Sequence, residues 1–88
     1  MADRLHLRVY TTERTLAEAD VREVTAPAVD GEIGILPEHA ALVTALATGV
    51  LSYRGDGGVV RMEIHGGFAE VLDNVMTVLA DGGRLLDG

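Results

Sequence analysis

Few side chains in this sequence are of a kind and spacing that could do chemistry. Glu32 and His39 flank the apolar stretch Ile33-Gly34-Ile35-Leu36-Pro37, which follows the turn pair Asp30-Gly31. Pro37 cannot donate to a sheet ladder, so it ends the Ile33–Leu36 run or places it at an edge. Gly34 inside that run predicts a bulge or a close backbone approach. Glu32 and His39 are therefore expected together at one tip, although a Glu after Asp-Gly reads equally as a solvated turn residue. Other chemistry finds little support. His6, His39 and His65 lie far apart, and none has a neighbouring ligand at a metal-site spacing. Ser52 is the only serine, and no Gly-x-Ser-x-Gly elbow surrounds it. Gly66-Gly67 lacks the further glycine and following helix of a dinucleotide loop and reads as a bend. Paired carboxylates are plentiful, but fourteen acids on a small domain bring some together by chance. Glu70, inside the apolar run Phe68–Leu72, reads as a solvated strand residue or as one facing a partner or an internal Arg.

The elements that must position these residues are short strands. Leu5, Leu7 and Val9 alternate with His6, Arg8 and Tyr10, the pattern of a half-buried strand. Gly55-Asp56-Gly57-Gly58 is a hairpin tip, and Val59–His65 is the return strand. Gly66-Gly67 permits a sharp bend before Phe68–Leu72. Asp73-Asn74 is a two-residue hairpin signal leading into Val75–Ala80. Two stretches are ambiguous. Ala17, Val21 and Val24 fall at helical spacing, whereas Val24 and Ala26 alternate towards Pro27 as in a strand, with a bulge near Val21. Pro37–Thr48 obeys the rules for a helix: Pro in the first turn, an Ala/Leu-rich body and Gly49 as terminator. The tail from Asp81 is too short and Gly-rich for another domain. Turn signals every 8–12 residues predict an all-β sandwich or flattened barrel.

Composition narrows the function. The chain has 88 residues, so residues 1–88 are read as a single domain. Without cysteine, neither a disulfide framework nor a thiolate metal site is possible. Seven Arg and no Lys face fourteen acids, and the net charge of −7 argues against binding nucleic acid or anionic lipid. It favours a basic protein partner. No apolar run approaches the ~20 residues that span a bilayer, and the N-terminus has no secretory h-region, so direct membrane insertion is not expected. A cytosolic setting is the default.

Gly31-Glu32-Ile33-Gly34-Ile35-Leu36-Pro37-Glu38-His39-Ala40-Ala41-Leu42 resembles the Gly-Glu-x-Gly-Ile-x-Pro-x-His-Ala-x-Leu signature of the epsilon subunit of bacterial F-type ATP synthases. Further matches lie at Gly66-Gly67-Phe68-Ala69-Glu70-Val71 and Val75-Met76-Thr77-Val78-Leu79-Ala80-Asp81. The likeness runs from about Leu5 to Asp81. Glu38 stands where a glycine is common and Ala41 where a proline is common.

The resemblance implies a ten-stranded β-sandwich of two five-stranded sheets. It decides for strands in both ambiguous stretches, with a loop at Pro37–Ala40 and a strand from about Ala41 to Ala47. It implies a non-catalytic rotor-stalk subunit, without cofactor or metal, whose partners are the gamma subunit and the c-ring. Glu32 and His39 would contact the c-ring, the carboxylate through charge-assisted hydrogen bonds to basic groups. Thr11, Leu42 and Thr44 would contact gamma. The location implied is peripheral, at the cytoplasmic face of the cell membrane, through the complex. The family continues into a two-helix C-terminal domain that brakes ATP hydrolysis. This chain stops at Gly88, so the expectation is a chain without that hairpin. The competing reading is an acidic β-sandwich adaptor for another basic protein.

Overall fold

A computed structural model describes residues 2–86. The chain forms ten strands: β1 (Leu5–Tyr10), β2 (Thr15–Val21), β3 (Glu23–Ala28), β4 (Gly31–Ile35), β5 (Leu42–Ala45), β6 (Thr48–Gly55), β7 (Gly58–His65), β8 (Phe68–Leu72), β9 (Val75–Leu79) and β10 (Gly83–Leu85). They make two five-stranded sheets. Sheet I has the order β2-β1-β9-β8-β5 and sheet II the order β10-β7-β6-β3-β4. No residue among those described is helical.

The alternating pattern explains why these sheets stack. Leu5, Leu7 and Val9 of β1 are buried, and so are Met62 and Ile64 of β7, Val71 of β8, and Met76 and Val78 of β9. Val24, Ile35 and Leu51 supply further buried side chains from sheet II. Each fully buried Val, Leu, Ile or Met contributes about 1.5–3 kcal/mol relative to exposure. No polar or charged residue is buried among those described, so the core is apolar throughout.

Topology fixes two ends of the sandwich. All strand pairs are antiparallel except β1 and β9, which run parallel from His6 opposite Val75 to Tyr10 opposite Leu79. One end gathers the start of β1, the β4–β5 loop, the β6–β7 hairpin and the Asp73-Asn74 turn. The other gathers the β1–β2 loop, the Val29-Asp30 turn, the β5–β6 connection, Gly66-Gly67 and the β9–β10 connection.

Two local expectations are corrected, at Val21 and at Gly34, while the strand expected after Ala40 is formed and the tail adds a short one. The bulge lies at Leu16, not near Val21: Val9 pairs with Ala17 and Tyr10 with Thr15, leaving Leu16 as the extra, buried residue. Arg22 instead marks the step from sheet I to sheet II. Gly34 pairs in register with Thr25, and a Cβ there would meet nothing within 4 Å, so it is neither a bulge nor a close approach. The tail contributes β10, whose Arg84 pairs with Glu63 of β7, although Asp87 and Gly88 lie outside the described residues. At Pro37–Thr48 the helix-like composition loses to strand pairing: Leu42–Ala45 pairs with β8 and buries Leu46 beyond it.

Candidate functional site

Turn chemistry sets the geometry around β4. The Leu36–His39 segment closes with the His39 N–H donating to the Leu36 carbonyl at 3.1 Å. Pro37 then sits at the second position and Glu38 at the third, with φ of 64° at Glu38. That is the backbone of a type II turn, which normally requires glycine at the third position. Glu38 holds it through two bonds. Its N–H donates to Asn74 Oδ1 at 2.8 Å, and its Oε2 accepts from the Ala2 N–H at 2.8 Å. Asn74 also donates from Nδ2 to the Arg4 carbonyl at 2.7 Å. One amide thus ties the start of β1 and the β4–β5 loop to the β8–β9 turn. The sequence signal for Asn74 was only that of a hairpin turn.

The expected single tip is not formed. Glu32, exposed, is the second residue of β4 and lies opposite Pro27, near the Val29-Asp30 turn. His39 follows the opposite end of β4, is half-buried, and hydrogen-bonds through Nδ1 to the Ala40 carbonyl at 2.8 Å. A strand of alternating side chains cannot bring its two ends together, and a tight turn at Pro37 sends His39 onward to sheet I rather than back.

The other candidates are placed as follows. The Thr11 hydroxyl closes the β1–β2 loop, accepting from the Glu13 and Arg14 N–H groups at 3.2 and 3.1 Å. Leu42 and Thr44 are half-buried and point to the core side of β5. Val43, between them, faces outward and is 70% exposed. It belongs to an apolar surface that the sequence did not single out. Phe68 and Leu79 lie there at 61% and 55% exposure. With Glu70 and Thr77 they line a shallow groove of about 260 Å³. A neighbouring groove of about 250 Å³ shares Phe68 and Leu79 and reaches Tyr10 and Thr11. Glu70 is exposed on this face and makes no ion pair among the described residues.

Several other ionisable groups form surface pairs. His6 Nδ1 lies 2.8 Å from Asp20 Oδ1, and Nε2 lies 3.2 Å from Glu18 Oε2. These bonds, to Asp20 first and then Glu18, raise its pKa above the ordinary imidazole value. Arg4 binds Asp56 at 2.9 Å and holds that carboxyl below the usual range. His65 and Arg84 converge on Glu63, which is also lowered, chiefly by the His65 hydrogen bond. Among the described residues no group of three His, Cys, Asp or Glu could hold a metal ion.

His6 yields a pH prediction. A group whose pKa is raised on folding stabilises the fold fully below its unfolded value, about 6.5 for His, and loses that contribution as pH rises through the folded value. The melting temperature should therefore fall from pH 6 to pH 8. Paired thermal melts should show a smaller fall for His6→Gln, and an equal fall would remove His6 from the account.

Comparison with known proteins adds the following. The profile of the family described as ATP synthase, Delta/Epsilon chain, beta-sandwich domain matches residues 4–84. The ATP synthase epsilon chain of Carboxydothermus hydrogenoformans is 48% identical over 81 residues, covering 92% of this chain and 60% of the relative. That of Symbiobacterium thermophilum is 47% identical over 88 residues, covering 99% and 63%. The chain thus spans about three-fifths of the length of the relatives it matches. A chain in the Euglena gracilis mitochondrial ATP synthase structure, OSCP/F1/c-ring in rotational state 1, superposes with a TM-score of 0.89 at 27% identity, over 99% of this chain and 58% of that one. A chain of the Tetrahymena thermophila mitochondrial ATP synthase central stalk and c-ring shares the fold, with a TM-score of 0.76 at 20% identity over 89% of this chain and 63% of that one.

Proposed function

Because the chain belongs to the delta/epsilon-chain β-sandwich family of ATP synthases, we propose that it serves as a non-catalytic part of the rotor stalk, joining the gamma shaft to the c-ring. Catalysis and ion translocation belong to other subunits. The observation that carries this reading is the family match over residues 4–84, together with two separate surfaces of different chemistry. The outer face of sheet I is apolar around Val43, Phe68 and Leu79, and suits a lasting contact with gamma. Thr11 lies at its margin, and Leu42 and Thr44 hold the strand that presents Val43. Asp30 and Glu32, both exposed at the β3–β4 turn, suit the basic polar loops of a c-ring. His39 stands at the other end of β4, so any c-ring contact it makes is separate from that of Glu32.

Membrane association in this reading comes through the complex, at its cytoplasmic face. No helix among the described residues is long and apolar enough to cross a membrane. A free-standing acidic adaptor finds no support among the relatives.

The test is copurification with cognate gamma, and then with gamma and the c-ring, for wild type and Glu32→Lys. Wild type is expected to bind both. The variant should keep its melting temperature and its gamma binding but lose c-ring association, because like charges meet at that contact. Absence of wild-type binding to gamma would sink the stalk role. Unchanged c-ring association in the variant would remove Glu32 from it.

A further inference from the structure

Cross-strand register lays out the outer face of sheet I in rows. The central row reads Glu18, Arg8, Thr77, Glu70, Val43 from β2 to β5. On one side of it lie Tyr10, Leu79 and Phe68, and on the other His6, Val75 and Leu72. Arg8 is thus the one cation within an otherwise largely apolar face whose other charges are acidic or belong to the His6 pair.

Arg8 is also poorly satisfied. Its Nη2 donates to Thr77 Oγ1 at 3.4 Å, at the long limit of a hydrogen bond. Its Nε is sealed from solvent and has no partner. Four of the seven arginines are paired: Arg4 and Arg22 both meet Asp56, at 2.9 and 3.3 Å, Arg54 meets Glu23 and Arg84 meets Glu63, whereas Arg14 and Arg61, neither of them on this face, make no ion pair among the described residues. Arg8 makes no ion pair among the described residues, although Glu18 stands directly across the strand. The Glu18 carboxylate turns instead to His6 Nε2. Glu70, beyond the intervening strand β9, does not reach it.

We propose that Arg8 is the charged anchor of the gamma-facing surface and binds a carboxylate of the gamma subunit at the Thr77 edge of the apolar groove. The inference rests on the stalk reading above and names the chemistry of its gamma contact. Three features support it. The stem is sheltered, with Nε sealed from solvent, so less side-chain freedom is lost on pairing than for a fully exposed arginine, and the weak Thr77 bond leaves the fork open to a better acceptor. Leu79 lies on the strand next to Arg8, with Phe68 and Val43 on the strands beyond, and a partner covering this apolar area to one side of Arg8 would desolvate the pair and strengthen it. The chain carries a net charge of −7, so an acidic group on gamma is disfavoured over most of its surface, and on this face Arg8 is the cation without a carboxylate partner. The occupant is therefore an acidic residue within an apolar patch of gamma.

The experiment is titration of the full chain against purified cognate gamma, comparing wild type with Arg8→Met, Arg8→Lys and Arg8→Glu, each checked by thermal melt. Arg8→Met keeps the packed stem and removes the charge, and should weaken binding at least about tenfold with an unchanged melting temperature. Arg8→Glu should weaken it further. Arg8→Lys should restore part of the loss, since it keeps the charge and lacks the fork. If wild type binds gamma and all three variants bind within about twofold of it, Arg8 is no anchor while the stalk reading stands. If wild type does not bind gamma, the stalk reading itself fails. If the chain instead dimerises through this face and Arg8→Glu disperses the dimer, the occupant is a second copy, and the proposal is overturned.

Discussion

Gly67→Ala is expected to lower the melting temperature by roughly 10–20 °C, corresponding to about 2–3 kcal/mol in a domain of this size. Gly67 has φ of 105°, outside the range that L residues adopt comfortably. Space is also lacking. A Cβ there would lie 2.1 Å from the Leu79 carbonyl oxygen and 2.7 Å from the Ala80 Cα. Both obstacles are backbone atoms of β9 and its exit, so no side-chain rotation relieves them. Gly67 also accepts from the Leu46 N–H at 2.9 Å, where β5 leaves sheet I as β8 enters it. Any shift that relieves the clash would pull on both crossings. Gly34→Ala is the control. With open space around it and an ordinary φ, it should change stability by no more than about 0.5 kcal/mol. Thermal and denaturant melts of both variants check this. Equal effects at the two positions would mean that the close approach at Gly67 does not exist.

Asn74→Ala is expected to cost about 2–3 kcal/mol, and Asn74→Gly about 1–2 kcal/mol. Two contributions separate the variants. Both lose the bonds to the Glu38 N–H and the Arg4 carbonyl, each worth about 1 kcal/mol net. Only alanine adds the strain of a left-handed backbone, here φ of 63°, following Asp73 at 50°. Urea unfolding of the pair measures each term. If glycine is as costly as alanine, the backbone contributes nothing. If glycine is neutral, the three-way tie at this end of the sandwich is not a stabilising feature.

The sequence was informative where one face of a strand is buried and the other is not. Leu5–Tyr10 and Phe68–Leu72 have the strand bounds that the alternation predicts, and Val75–Ala80 differs only in ending at Leu79, because burial imposes a strict period of two. The Asp73-Asn74 turn was legible for a related reason, since few residues tolerate its backbone. Periodicity failed where the chain changes sheets. Ala17, Val21 and Val24 mimic a helical face because the step at Arg22, between β2 and β3, breaks the count of two. Leu42–Ala45 carries helix-favouring neighbours and is a strand only because β8 offers an edge, which no local rule can see. Within the candidate site, Glu32 and His39 were found by motif, but their separation depends on the direction of β4. Val43 and Phe68 look like core residues in the sequence. Their exposure follows from register alone, and Arg8 gains its interest only from what Glu18 does next to it.

The parallel pair of β1 and β9 constrains how the chain comes together in time. β1 lies inside sheet I, flanked by β2 and β9, yet its second neighbour begins at Val75. During synthesis, the first strand made must wait for nearly the last one before its backbone groups are paired on both sides. The β6–β7 hairpin can zip locally long before that. Sheet II therefore has a local starting point, whereas sheet I closes late around a pairing of long sequence separation, which places this small protein among the slower folders for its size. Until β9 emerges, the flank of β1 from His6 to Tyr10 is an open template, and its protection in the nascent chain rests on β2 alone.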